Sequence, residues 1–153
     1  MLKKLLSYDF ELAGRLLLDD YGNIAYDIPV SKFISHDRAQ IYAWVSEQDI
    51  LYIGKAGKGL QKRHREHRSG WQNGSPTGVK LAHNIRGEIQ AGRSIFIYGR
   101  TCDHFWQETN LLGRTAAIHI DLADHEEDIL IEEFSPRWNT NRSTNLKRRW
   151  ILE

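Results

Sequence analysis

Residues 51–59 read LYIGKAGKG: three glycines and two lysines directly after a short run of strand-forming residues. Two readings compete for this stretch. A glycine-rich loop that opens onto a helix can hold a phosphate, because bare backbone N–H groups and the helix N-terminus both favour an anion. The nucleotide-binding consensus, however, requires G-x-x-x-x-G-K-[ST], and Gly54 is followed by KAGKG with no Ser or Thr after the lysine. On the other reading the glycines only satisfy positive φ angles in a strand-to-helix turn. The loop alone does not separate the two, so the surrounding chain has to.

At 153 residues the chain is expected to be one domain with a core that needs no staples. A single cysteine, Cys102, excludes a disulfide framework and fits a reducing cytoplasm. The start, MLKKLLSYDF, has too short an apolar run for a secretory segment, and no later stretch approaches the length of a membrane span. A soluble, cytoplasmic protein is the expectation. The formal net charge of +1 conceals a segregation. Lys55, Lys58, Lys62, Arg63, Arg65 and Arg68 face only Glu66, whereas the run from Asp121 to Glu133 is strongly acidic. Either run can be a solvated helix face; the basic one also has the composition of a nucleic-acid footprint.

ELAGRLLLDDYGNIAYDIP (11–29) reads as a hairpin, because DDYGN is turn chemistry between two apolar runs. IYAWV (41–45) and ILYIG (50–54) form a second hairpin around SEQD. The pattern turns helical from Leu60 to about His67; SGWQNGSPTG then reads as a loop, VKLAHNIRGEIQ as an amphipathic helix and SIFIYG as a strand. AAIHI is a further strand, followed by a helix over DLADHEEDILIEEF that Ser135 and Pro136 stop. Hairpins mixed with helices give an α+β class with a small, largely antiparallel sheet and flanking helices.

The acid helix carries an anomaly. Ala123, Leu130, Ile131 and Phe134 form an apolar stripe at helical spacing, and Glu127 falls inside it. An ionised carboxylate facing a core is costly unless it is paired or bound to metal. The competing explanation is a capping box, with Asp124 as N-cap and Glu127 three residues on. Arg63 and His67 stand four apart on one helix face. His64 and His67 form H-x-x-H, a weak zinc signal that no other His or Cys cluster completes. His36, His83, His104, His119 and His125 are scattered, and Cys102 has no nucleophile context. Tyr42 and Tyr52 lie in the two strands of the second hairpin, where aromatic residues ordinarily pack. An odd-length connection, such as EQD, pairs Trp44 with Tyr52 and puts Tyr42 on that same face. The four-residue loop SEQD puts the tyrosines on opposite faces.

Together these pieces resemble the GIY-YIG nuclease family, and within it the restriction-endonuclease-like members. IYAWV is similar to its first strand, LYIGKA (51–56) to its second motif and LQKRHREH (60–67) to its arginine helix. EDILIEEFSPRWN (127–139) resembles its acid helix, with the proline and asparagine that follow. The resemblance covers residues 40–67 and 116–139. Gln40 stands where the family's first triad has glycine. The implied organisation is an N-terminal extension with hairpin over 1–39, a GIY-YIG-like catalytic core over 40–139 and a basic C-terminal tail over 140–153.

The resemblance implies a metal-dependent endonuclease acting on DNA phosphodiesters. Tyr42 and Tyr52 would orient and help deprotonate a water, Arg63 would contact the scissile phosphate, and Glu127 would hold one Mg²⁺ (or Mn²⁺). Lys55 and His67 would assist, and Asn139 would brace the site. Tyr has a pKa near 10 in water, so Lys55, Arg63 or metal-bound water would have to favour its phenolate. Lys58, Lys62, Arg65 and Arg68, with the C-terminal RSTNLKRRW, would grip DNA in a salt-dependent manner. Two other expectations stand beside this one: a nucleic-acid-binding module on the same fold that has lost turnover, raised by Gln40, and a nucleotide-binding regulator built on the glycine loop. A homodimer is compatible with the sequence, but no interface is legible in it.

Overall fold

The computed structural model describes residues 1–34 and 37–139; His36 and the basic tail over 140–153 lie outside the described residues. Its elements run in the order α1 (Leu2–Leu6), β1 (Glu11–Leu18), β2 (Ile24–Asp27), α2 (Ser31–Ile34), β3 (Gln40–Ser46), β4 (Asp49–Ala56), α3 (Leu60–Asn73), α4 (Pro76–Gln90), β5 (Ile95–Thr101), β6 (His104–Leu111), β7 (Arg114–Asp121) and α5 (Ala123–Phe134). Five strands form an antiparallel sheet in the order β2-β1-β5-β3-β4, and β6 and β7 form a separate two-stranded sheet. The expected α+β class with a small antiparallel sheet is what forms.

The sheet has helices on both faces. Tyr42 and Trp44 of β3 pack with Leu60, Trp71, Leu81 and Ile85 from α3 and α4. Ile41, Ala43 and Val45, pointing the other way, pack with Leu5, Ala123, Leu130, Ile131 and Phe134 from α1 and α5. This is why β3 is apolar without alternation: every one of its residues is buried.

Three expectations change. The hairpin over 11–29 forms, but it is no appendage preceding the core, because β1 pairs with β5 and completes the central sheet. The stretch SGWQNGSPTG is not a loop: α3 continues through Gly70 and Trp71 to Asn73, and α4 begins at Pro76 behind the Ser75 cap. Glycine and serine disfavour helix locally, yet Trp71 is buried and stacks on His67 at 5.7 Å, so tertiary packing overrides propensity. Finally, β6 and β7 make a two-stranded ribbon around a turn in which Leu112 and Gly113 both have positive φ. Only part of its second strand, AAIHI, is visible as a strand in the sequence.

The tyrosine hairpin departs from both loop lengths considered above. Ser46 pairs with Asp49, leaving a two-residue turn of Glu47 and Gln48, and Val45 pairs with Ile50. A regular ladder would then set Trp44 against Leu51 and turn Tyr52 to the wrong face. Instead the register shifts at Leu51, and Trp44 pairs with Tyr52. One extra residue thus does what an odd loop would have done.

Candidate active site

Tyr42 is the centre of the site. It is fully buried, and its hydroxyl hydrogen-bonds His67 Nε2 at 2.5 Å. Its ring lies 6.1 Å from that of Tyr52, which in turn packs 4.7 Å from the Trp44 ring. Burial raises the Tyr42 pKa well above its ordinary value, and the neighbouring Tyr52 adds to this; Arg63 pulls it down through charge and hydrogen bonding, and the charge of Glu127 pushes it up. Tyr52, Arg63, His67 and Glu127 therefore all act on one hydroxyl group.

Gly54 makes this arrangement sterically feasible. It stands opposite Tyr42 in the ladder, and a Cβ at that position would lie 2.5 Å from the Tyr42 hydroxyl oxygen. Gly54→Ala is accordingly expected to displace the Tyr42 ring and break its bond to His67. The change should appear as an altered near-UV circular dichroism band and a lowered Tm, and wild-type values for both would contradict it.

His67 sits where α3 passes over Tyr42. Burial, the adjacent His64 and the Arg63 charge lower its pKa to about 3. It is neutral at ordinary pH, and in the tautomer protonated at Nδ1 its Nε2 accepts the Tyr42 proton in the hydrogen bond. His64 is a core residue: Nδ1 is 2.8 Å from the Leu60 carbonyl and Nε2 accepts from Trp44 Nε1 at 2.9 Å. Both ring nitrogens are used, which leaves no lone pair for zinc. Among the described residues no group of three or more His, Cys, Asp or Glu could hold a metal together. Cys102 is buried and its thiol pKa is pushed up by that burial, which fits an inert core residue.

The glycine loop forms one wall of a largely basic pocket. Gly59, at φ 95°, is the N-cap of α3 and supplies no side-chain cap. A pocket of about 190 Å³ is lined by Gly57, Lys58, Gly59, Lys62, Arg63 and Glu66. Arg63 belongs to both this pocket and the Tyr42 cluster. Burial works against its charge, but Tyr42, Glu66 at 3.2 Å and Tyr52 together hold its pKa up.

Glu127 is 3% exposed and lies in the apolar stripe of α5, as its spacing indicates. The capping alternative does not form: the N-cap is Leu122, with no side-chain cap, and Asp124 is already inside the helix. Lys55 points to the α5 side of the sheet and pairs with Asp124, away from the tyrosines it was expected to assist. Asn139 Oδ1 accepts from Ile53 N at 2.9 Å and its Nδ2 donates to Ile53 O at 2.8 Å, so it grips the strand between Tyr52 and Gly54. That is a bracing contact. Of the remaining cations, Lys58 and Lys62 line the pocket and Arg65 is solvent-exposed. Arg68 turns toward the β1–β2 turn, where its charge acts on Asp19.

Gln40, at the position of the missing glycine, keeps its ladder partners Ala56 and Thr101. Its buried side chain donates to Lys32 O at 2.9 Å, anchoring α2. Trp71 takes part in the site through His67, although the sequence alone assigns it to a loop. Its spacing from Leu60, His64 and His67 at i, i+4, i+7 and i+11 is the helical signal that reveals it.

Comparison with solved structures places the fold. A glutamate-to-alanine mutant of bacteriophage T4 EndoII superposes with a TM-score of 0.71 at 27% identity, over 91% of this chain and 98% of that one. The restriction endonuclease HPY188I, in complex with product DNA, superposes with a TM-score of 0.53 at 17% identity, over 86% and 78%. The fold is nuclease-like. No family profile and no curated protein sequence matches the chain. Within this nuclease-like fold, the buried Tyr42–His67 pair and the pocket beneath Arg63 lie on the α3 side of the sheet, and Glu127 approaches from α5.

Proposed function

We propose that the protein is a GIY-YIG-type endonuclease that hydrolyses DNA phosphodiester bonds with Mg²⁺ or Mn²⁺. The observation that carries this reading is the buried Tyr42 hydroxyl bonded to His67 Nε2 beside the pocket that Arg63 lines. The nuclease-like fold supports it, as does the DNA bound by one structural neighbour.

A phosphodiester under attack gathers negative charge on its non-bridging oxygens, and a fixed guanidinium stabilises it. Arg63, which lines the pocket, would take that role, with Lys58 and Lys62 on the flanking phosphates. The hydroxyl of Tyr42 orients the attacking water. Because burial keeps the phenol protonated, Tyr42 cannot act as a standing phenolate. It can instead take a proton from water as it passes its own to His67 Nε2. The Arg63 charge is one of the causes holding His67 neutral. A phosphate bound to Arg63 offsets that charge and makes His67 a better acceptor at the moment it is needed.

The residues present fit a lone hard cation. Mg²⁺ takes one or two carboxylates and fills its remaining positions with water and phosphate oxygens, which suits the buried carboxylate of Glu127. Glu127 would hold the ion, and the ion would supply charge stabilisation on the phosphate and leaving oxygen.

Supercoiled plasmid incubated with the protein and Mg²⁺ or Mn²⁺ should be nicked, and Arg63→Ala should slow nicking by about 100-fold or more. Retarded migration of the plasmid without nicking at any metal concentration would instead favour the binding module.

A further inference from the structure

Glu88 is a buried carboxylate that the chemistry above leaves unused. It lies in α4 at 6% exposure. Burying a carboxylate is costly unless it is fully partnered, and three groups partner this one. Ser46 Oγ, at the end of β3, lies 3.3 Å from Glu88 Oε2, and Arg93 Nε donates to the same oxygen at 2.6 Å. Arg137 Nη2 donates to Oε1.

Two of those partners bracket the tyrosine hairpin. Ser46 closes β3 at the two-residue turn. Arg137 opens the short segment whose next two residues grip β4: Trp138 N–H donates to Leu51 O at 3.0 Å, and Asn139 makes both of its bonds to Ile53. Leu51 is the extra residue of the bulge, and without the bulge Tyr52 would face away from Tyr42. β4 is an edge strand, so its outer backbone groups have no strand to hold them in register. A one-residue slip flips every side chain.

We propose that Glu88 is a positioning residue. By holding Ser46 on one strand and Arg137 beside the other, it fixes the bulged register that sets Tyr52 next to Tyr42. Its bearing on cleavage rests on the function proposed above; its bearing on the register does not.

The test uses the full chain with Glu88→Gln, and Arg137→Ala as a second variant that cuts the same link from a side chain 53% exposed. Hydrogen exchange should show faster amide exchange over residues 50–54, with α5 protected as in the wild type. Nicking should lose about tenfold or more in kcat at an unchanged KM, since small misplacements of reacting groups act on the chemical step. Arg137→Lys should recover part of it. Unchanged exchange over 50–54, a uniform rise across the whole chain, or selective exchange with wild-type kcat would each overturn the proposal. If the wild type itself nicks no DNA, the functional reading fails, and the exchange pattern alone still decides the register.

Discussion

Glu127→Gln is expected to leave the protein folded and to lower DNA cleavage by about 100- to 1,000-fold, the range seen when one preorganised electrostatic group is removed. Glu127 sits among Ala123, Leu130, Ile131 and Phe134 on the buried stripe of α5, at 3% exposure. Glutamine keeps the shape and loses the charge. The amide also keeps one acceptor oxygen where the carboxylate had two, so Tm should stay close to the wild-type value. Loss of activity without loss of stability separates a carboxylate kept for metal from one kept for the fold. A structural role predicts the reverse, a lowered Tm with cleavage falling only as folded protein is lost. Cleavage at wild-type rate in a folded variant, with Mg²⁺ or Mn²⁺, would remove Glu127 from the site. Isothermal titration with Mn²⁺ gives a second readout that does not depend on turnover, and the variant should lose the heat of binding.

Part of the geometry of this candidate site is legible in the amino-acid sequence, and the limits of that legibility have physical causes. Glu127 announces itself because a charged residue on an apolar stripe violates the pattern around it. Tyr42 and Tyr52 can be named from the two strands, but whether they cooperate depends on one residue of register. Loop length does not reveal that register, because the bulge at Leu51 is stabilised from Trp138 and Asn139, more than eighty residues away in sequence. The continuation of α3 is hidden for a related reason. Gly70 and Ser69 argue against helix, and only the packing of Trp71 on His67 outweighs them. Lys55 misleads because the sheet's alternation sends it to the Asp124 side, one residue beyond Gly54. The direction of the Tyr42 pKa is also out of reach of sequence. It depends on burial overcoming Arg63, a balance that exists only once α3 and β3 are in contact.

Lowering the pH from 7.5 to 5 should destabilise the fold by about 2 kcal/mol through His64 alone, at about 1.4 kcal/mol per pH unit below the unfolded value. Burial lowers the folded pKa of His64 to about 4, outweighing the Leu60 carbonyl, which acts in the opposite direction. In the unfolded chain the imidazole returns to about 6.5. The folded pKa is depressed, so the unfolded chain binds the extra proton. The stability it contributes is complete above about pH 6.5 and drains as the pH falls toward about 4. His67, lowered to about 3, adds a term of the same sign and about the same size, because at pH 5 both folded rings are still neutral. At pH 5 most unfolded carboxylates are still ionised, which keeps their titration from dominating the comparison. Urea unfolding followed by tryptophan fluorescence measures the difference. His64→Gln provides the control, because an amide can donate to Leu60 O and accept from Trp44 Nε1 without titrating. The variant should lose about half of the wild-type pH dependence over this interval, and an unchanged slope would show that His64 is not the group responsible. The remaining slope then belongs mainly to His67, which takes up its proton in the unfolded chain while the folded ring stays neutral toward about pH 3.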